Sequence, residues 1–343
     1  MKLLFRNPAY RILTLSRFFN AFGASIFNLV FIVYASTLSQ ASFAVAMANI
    51  VMILPTLFTV FAGIRADYTR DKVKWMVYSG LFQAVLFFLA ALVVQQASLF
   101  AFSSLCLINV ISDIISDFAG GLRMPLIKED GENLKNEKLS IKDQFLTIYR
   151  NLRLVFLKSG QKNFGFMLFA VLLINSLGGA LGGIYNIFFL SHSLLNFSYT
   201  EALFINQFCV LVAIIISSLT GNAYFGKQSL PRLMMWATVG LSLVGLANLF
   251  NQVVLGLLFL FFTLYVSGKV QPKISAMLMK NLAPEVLART SNFLGLLFTL
   301  SIPVGTACFS LVAVWNIQLT WMLFVGLSLL AIFLTILNLK NDI

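Results

Sequence analysis

The sequence predicts an all-α, polytopic membrane protein with about ten transmembrane helices. Of its 343 residues, 59% are hydrophobic and 10% are charged, and the mean hydropathy is +0.91. Soluble domains carry about 25% charged residues, so this composition excludes a soluble globular protein. The apolar residues form blocks of roughly 20 residues, the length at which an α-helix crosses a hydrocarbon core of about 30 Å. Blocks such as 85–94 have no alternating polar face, which argues against a β-barrel.

The distribution of basic residues predicts the orientation in the membrane. The turns after spans one, three, five, seven and nine contain no Lys or Arg, so all 24 basic residues lie on the other side. Basic loops are retained in the cytoplasm, so we expect a multi-pass protein of the cell (plasma) membrane with both termini cytoplasmic. The predicted spans are 12–35, 42–64, 74–95, 98–120, 164–190, 202–222, 232–250, 252–268, 291–314 and 318–339.

The spans are grouped into two halves around one long polar interruption. We predict a four-helix half at 1–122, a cytoplasmic linker at 123–163 and a six-helix half at 164–343. The linker has apolar residues at helical spacing with Lys and Arg on its other faces, which predicts a basic amphipathic helix at the membrane surface. A partner-binding helix is the alternative. The apolar positions are Ile141, Phe145, Ile148, Leu152 and Val155.

A charged stretch separates the second and third spans. Gly63, Asp67, Arg70 and Lys72 form the pattern Gly-x-x-x-Asp-x-x-Arg-x-Lys between two almost uncharged runs. This pattern resembles the signature loop of the major facilitator superfamily, a large class of secondary transporters. The match is partial, because Tyr68 stands where the family usually has a basic residue. Two symmetric helical halves around a midplane substrate site are the architecture that the resemblance implies.

The resemblance also implies a conformational latch. In the family, the aspartate docks near a helix N-terminus of the other half and the basic residues pair with an acid of the fourth span, which holds the outward-facing state. Asp113 and Asp117 lie one turn apart near the inner end of span four. We expect Asp117 to pair with Arg70, and Asp113 is the candidate proton carrier. The alternative is that both carboxylates are hydrated at the interface and have no coupling role.

The second half carries an altered copy of the signature loop. Residues 221–227, followed by Pro231 and Arg232, repeat its glycines and cations but lack the acid. Residues 271–289 resemble the loop that the family places before its eleventh span, and 123–129 resemble the loop before a fifth span. The chain then runs directly into the linker, so spans five and six appear as missing in a 4+6 arrangement. The overall loop pattern is most similar to the bacterial efflux branch.

Several polar residues lie at membrane depth and are candidates for a cavity or substrate path, because buried polar groups need partners. Arg17 is equally explained as a residue that snorkels to the interface. The 35 Phe residues suit an aromatic cavity for a hydrophobic or amphipathic solute, although lipid-facing Phe explains the number equally well. The candidates are Arg17, Asn20, Asn28, Asn175, Asn186, Asn206 and Gln207.

Four glycines in span five predict close helix packing or a hinge. Gly178, Gly179, Gly182 and Gly183 form two overlapping small-xxx-small pairs. Small residues at this spacing allow helices to approach closely in membranes. Packing alone is the simpler interpretation, and a hinge near the substrate path is the alternative.

These observations favour a secondary active transporter, driven by a proton or other ion gradient, that exports a hydrophobic or amphipathic small molecule. The alternative is a truncated, non-transporting membrane protein that acts as a receptor or scaffold. We expect no enzyme activity, cofactor, metal or nucleic-acid partner, because the chain has one His, three unpaired Cys and no phosphate-binding loop. The expected partners are the solute, protons or another coupling ion, and the lipid bilayer. A homodimer is a further option, since surfaces left by absent helices attract partner helices.

Overall fold

The structure is a computed structural model. It describes residues 8–96, 98–127, 164–281 and 284–339, together with Arg150 and Arg153. All regular secondary structure in these residues is helical. Eight described helices are long and apolar enough to cross a membrane, and Phe22–Ser36 and Ala41–Leu57 are shorter apolar helices.

The chain divides into two compact units, Met1–Asn136 and Glu137–Ile343. The predicted amphipathic helix of the linker lies outside the described residues, apart from Arg150 and Arg153. The boundaries 1–122, 123–163 and 164–343 therefore remain predictions.

In the first unit, the described residues form five α-helices and one 3-10 turn. The predicted second span is divided, because Pro55 lies at the start of the turn Leu54–Leu57. Proline lacks an N–H donor and clashes with the preceding helical turn, so a continuous helix is disfavoured there. The helices are α1 (Pro8–Ser36), α2 (Ala41–Ile53), α3 (Thr59–Asp67), α4 (Lys72–Val93) and α5 (Leu99–Ile127).

Helices α3 and α5 pack closely against each other near their C-terminal ends. A Cβ atom at Gly121 would lie 2.8 Å from the Ala66 Cβ and 3.5 Å from the Gly63 Cα. Gly121 therefore has to lack a side chain for this contact, as is usual where small residues bring membrane helices together. The contact places the signature glycine, Gly63, against the fourth predicted span.

The described residues of the second unit form eight helices. Val270–Asn281 is helical where we predicted a loop, so the chain after the eighth span continues as a helix. Helix α7 begins with a capping box, in which Ser198 and Glu201 satisfy each other's backbone N–H groups. The helices are α6 (Phe164–Phe188), α7 (Tyr199–Leu219), α8 (Tyr224–Lys227), α9 (Leu230–Leu249), α10 (Val253–Ser267), α11 (Val270–Asn281), α12 (Pro284–Trp315) and α13 (Ile317–Leu339).

A buried aromatic group holds α6 and α13 together in the second unit. Tyr185 and Trp321 are packed edge to face with ring centroids 5.6 Å apart, and Phe188 lies 5.5 Å from Trp321. The Tyr185 hydroxyl accepts a hydrogen bond of 2.8 Å from Asn248 Nδ2, which joins α9 to the group. Such pairs contribute about 0.5–1.5 kcal/mol beyond their buried area, so this group is a rigid part of the unit.

Candidate functional site

A chain of amide hydrogen bonds crosses the interior of the first unit. Asn20 Nδ2 of α1 donates to Gln83 Oε1 of α4 over 3.3 Å, and Gln83 Nε2 donates to the Ser112 carbonyl of α5 over 2.9 Å. Gln83 is only 5% exposed. Three helices are therefore joined through one buried side chain, at a depth where unpaired amides are costly.

A second amide pair joins α1 and α5, eight residues later in α1 than Asn20 and three residues earlier in α5 than Ser112. Asn109 Nδ2 donates to Asn28 Oδ1 over 3.0 Å. Asn109 is 1% exposed, and its Oδ1 has no hydrogen-bond partner among the described residues. A buried amide oxygen without a partner costs roughly 1–3 kcal/mol, so this atom is a site for a water molecule or another donor.

The two candidate carboxylates continue this polar face of α5. Asn109, Asp113 and Asp117 follow one another at intervals of four residues, which places them on one side of the helix. Asp113 and Asp117 are half-buried, and Asp117 Oδ2 accepts a hydrogen bond of 2.6 Å from Thr59 Oγ1 at the start of α3. Asp113 forms no hydrogen bond with another described residue, so no described donor fixes the orientation of its carboxyl group.

The signature loop is shorter in the structure than the sequence pattern suggested. Helix α3 extends to Asp67 and α4 begins at Lys72, so the turn itself contains four residues. Lys72 Nζ donates to the Ala66 carbonyl over 3.1 Å, which caps the end of α3. Arg70 is exposed, and no ion pair joins it to Asp117 within the described part of the chain. The side chains of Asp67 and Arg17 lie outside the described residues, so the latch remains a prediction.

The candidate polar residues of the second unit lie in different environments. Asn175 lines a cavity of about 80 Å³ between α6, α9, α11 and α12. Asn186 is buried, and its carbonyl accepts a hydrogen bond of 2.8 Å from the Tyr199 hydroxyl. Asn206 is also buried, whereas Gln207 lies on the exposed side of α7. The structure thus connects Asn20 and Asn28 to polar partners in one unit but does not bring the second group together.

The glycines of α6 differ in what surrounds them. A Cβ atom at Gly179 would lie 2.6 Å from Ile302 Cγ2, and the Thr306 hydroxyl donates to the Gly179 carbonyl over 2.9 Å. A Cβ atom at Gly305 would lie 2.0 Å from the Ser176 carbonyl oxygen. Gly179 and Gly305 therefore form the crossing of α6 and α12. Gly178 and Gly182 have open space, and Gly183 lies in the same stretch of α6.

Sequence reasoning overlooked a buried lysine in the second unit. Lys269 lies between α10 and α11 and is 5% exposed. Its ammonium donates to the Ser217 carbonyl over 2.9 Å and to the Thr220 carbonyl and hydroxyl, each over 3.0 Å. It also lies 4.4 Å from the centre of the Tyr265 ring. Lys269 therefore caps the end of α7 from the turn between α10 and α11, with the charge satisfied by oxygens and an aromatic face.

Gln83 and Asn109 were also missed as candidates, although both are polar residues within apolar blocks. A polar residue within an apolar block is the same signal that identified Asn20 and Asn28. The structure adds the hydrogen bonds between these residues, which depend on how α1, α4 and α5 are placed against each other. No group of three or more His, Cys, Asp or Glu residues suited to a metal occurs among the described residues.

Comparisons with known proteins concern the fold. No protein-family model matches the sequence, and neither does any curated protein sequence. The structure is similar to a crystal structure of a variant of the nucleoside transporter NupG, with a TM-score of 0.59 and 14% identity over 93% of this chain and 96% of that chain. It is also similar to a POT family transporter in complex with a thioalcohol-conjugated peptide, with a TM-score of 0.57 and 16% identity over 92% and 93% of the two chains. The predicted fold class, a polytopic helical membrane protein, is confirmed, and its fold is similar to that of these two transporter structures.

Proposed function

We propose that this protein is a secondary active transporter that exports a hydrophobic or amphipathic small molecule in exchange for protons. The observation that carries the proposal is the polar face of α5 inside the first unit, where Asn109, Asp113 and Asp117 follow each other at helical spacing. Ionisable residues within membrane spans are costly and are retained chiefly for function. The likeness of the fold to two transporters supports this class of activity.

The arrangement suits proton coupling. Asp117 already has a hydroxyl partner in Thr59, whereas Asp113 forms no hydrogen bond with a described residue. A carboxylate in a low-dielectric setting is stabilised when it takes up a proton, because its charge is removed. Loading and release of a proton at Asp113 would therefore change the cost of burying this part of α5. In our proposal that change drives the alternation between the two open states.

The test is export of labelled hydrophobic compounds from proteoliposomes with an imposed pH gradient. We expect flux that a protonophore abolishes. Asp113→Asn should remove the dependence on the gradient, while the matched change Asp71→Asn, in an exposed acid of the signature turn, should leave flux unchanged. Gradient-independent flux in the unmodified protein, or normal coupling in Asp113→Asn, would contradict the proposal.

Membership in the efflux branch and the absence of spans five and six belong to the same proposal. The first unit holds the four predicted spans before residue 122 and the second holds the other six, which is the pattern that loss of one helix pair leaves. A homodimer that covers the missing pair is part of this proposal. Cross-linking of the protein in native membranes tests it, and a monomer under all conditions would remove it.

The same 4+6 pattern favours a second candidate function, a non-transporting protein derived from a transporter. A thinner first half would leave the substrate path incomplete. We expect this candidate to show no flux of any compound in proteoliposomes, yet to bind hydrophobic ligands with a measurable shift in melting temperature. Flux restored only by insertion of two helices after Asp130 would establish it.

We also propose that both termini and the signature turn are cytoplasmic in the plasma membrane. The support is the absence of Lys and Arg from five alternate turns. Labelling of single cysteines with a membrane-impermeant reagent in whole cells tests this. A cysteine introduced at Ser191 should be labelled from outside, and one introduced at Asp71 should not.

A further inference from the structure

The signature turn presents cations and aromatic rings side by side on the surface of the first unit. An open pocket is lined by Arg70, Asp71, Lys72, Val73 and Lys74. Three of these five residues are basic and one is acidic, which leaves a net charge of +2. The exposed rings of Trp75 and Tyr78 follow within the next turn of α4.

The two rings and one lysine form a single surface. Trp75 is 51% and Tyr78 50% exposed, and their ring centroids are 6.2 Å apart in an edge-to-face arrangement. Lys74 Nζ lies 5.8 Å from the centre of the Tyr78 ring. Trp and Tyr concentrate at the level of lipid headgroups, where one part of the ring is apolar and another part is polar. This end of α4 therefore has the composition of a membrane interface.

Two of the cations are available to an external anion. Lys72 is already bound to the Ala66 carbonyl. Arg70 is exposed without a described ion pair, and Lys74 is exposed beside the Tyr78 ring. The Asp71 carboxylate accepts no hydrogen bond from the first turn of α4, so it does not occupy that end of the helix. A phosphate placed between Arg70 and Lys74 would meet two cations and the positive end of α4.

We propose that this surface, which we call the headgroup site, binds an anionic phospholipid such as phosphatidylglycerol. Its phosphate would lie against Arg70 and Lys74, and its acyl chains would follow Trp75, Tyr78 and the apolar side of α4. The partner is a lipid because the aromatic rings continue the cationic pocket toward the hydrocarbon core. This proposal requires only that the chain spans a membrane, so it stands or fails independently of the proposed transport.

Quenching of Trp75 fluorescence tests the headgroup site. The unmodified protein is placed in nanodiscs of phosphatidylcholine that contain a small fraction of brominated phosphatidylglycerol or, for comparison, brominated phosphatidylcholine. The signal of Trp75 is the difference between the unmodified protein and Trp75→Phe. We expect at least about ten-fold stronger apparent binding of the brominated phosphatidylglycerol, because each nearby cation contributes a factor of about five.

Matched variants distinguish specific lipid binding at the headgroup site from a general effect of surface charge. Arg70→Gln with Lys74→Gln should abolish the preference for phosphatidylglycerol, and Arg70→Lys with Lys74→Arg should keep most of it. Lys227→Gln with Arg232→Gln removes two exposed cations from the copy of the turn in the second unit and should change nothing. Equal losses in both Gln pairs, or no preference in the unmodified protein, would overturn the proposal. If the Arg70 and Lys74 double variant aggregates, the single changes give the same comparison with an expected loss of about five-fold each.

Discussion

The signature turn after α3 and its copy after α7 both follow a helix whose last carbonyl groups need hydrogen-bond donors. The donors differ between the two turns. At each turn, a lysine ammonium binds carbonyl oxygens at the end of the preceding helix, where four such groups lack partners within the helix. Lys72 follows the signature turn directly, whereas Lys269 comes from the connection between α10 and α11. Lys72 reaches Ala66 from six residues away, whereas Lys269 reaches Ser217 and Thr220 from 52 and 49 residues away. The first contact is local, and the second ties one helix to another.

The cations at the two turns also differ in how deeply they are buried. Lys269 is 5% exposed and rests on the Tyr265 ring, while Lys72 is half-buried and its neighbours Arg70 and Lys74 are exposed. The turn that carries the acid of the signature therefore keeps two of its cations, Arg70 and Lys74, on the surface. The turn that lacks the acid is held by Lys269, a buried cation from the connection between α10 and α11. This difference is what a switch in one half and a rigid support in the other would require.

Lys269→Met should have the largest effect on stability. The substitution keeps the apolar stem but removes three hydrogen bonds. It leaves the carbonyl of the buried Ser217 without its lysine donor, whereas the Thr220 carbonyl keeps the Ala223 N–H. We expect the free energy of unfolding to fall by about 2–4 kcal/mol, because each hydrogen bond to a charged group contributes roughly 1.5–3 kcal/mol and an unsatisfied buried carbonyl costs roughly 1–3 kcal/mol. Denaturation in mixed detergent micelles measures it.

The control for this change is Lys227→Met, which alters an exposed lysine of the turn after α7, the turn that Lys269 contacts. Exposed substitutions of this kind usually fall within about 0.5 kcal/mol of zero. A loss in Lys269→Met no larger than that of the control would show that the buried lysine is not a support. That result would contradict the proposed difference in rigidity between the two turns.

Gly226→Ala should have the next largest effect. A Cβ atom at Gly226 would lie 1.8 Å from the Gly221 carbonyl oxygen, so the backbone of the turn has to move. We expect a loss of about 1–3 kcal/mol, as is usual when a well-packed site is overfilled. Gly63→Ala is the matched change in the signature turn, where a Cβ atom meets open space. It should be neutral or slightly stabilising, and equal effects at both sites would contradict the difference in packing.

The sequence predicted the positions of the helices well, because the length of an apolar block is a local property. It did not predict the break at Pro55, because the apolar block continues through the proline, although the missing N–H of proline is a local cause. It also did not predict the helical course of Val270–Asn281. The partners of Asn20 and Asn28 could not be predicted, because they depend on how the helices are placed against each other. The sequence of a single apolar block does not contain that information. Lys269 was visible as a lysine after the eighth span, but its burial depends on the end of α7 being placed beside it.

Asp67→Asn and Arg70→Ala test whether the signature turn is a switch. If the turn latches one state through these charges, each change should reduce flux about ten-fold, which corresponds to about 1.4 kcal/mol. Insertion and thermal stability should stay unchanged, because both residues lie at the surface end of α3 or beyond it. Asp71→Asn is the control within the turn. Normal flux in both variants would remove the latch.

Lys72→Met should have the smallest effect on stability, and for that reason it distinguishes the two turns most directly. It removes the cap on Ala66, yet the end of α3 is close enough to the surface for water to replace the ammonium. We therefore expect a loss of no more than about 1 kcal/mol, against the larger value for Lys269→Met. Denaturation under the same conditions gives both numbers. A loss in Lys72→Met as large as that in Lys269→Met would mean that the first turn is as rigid as the second, and a switch could not be located there.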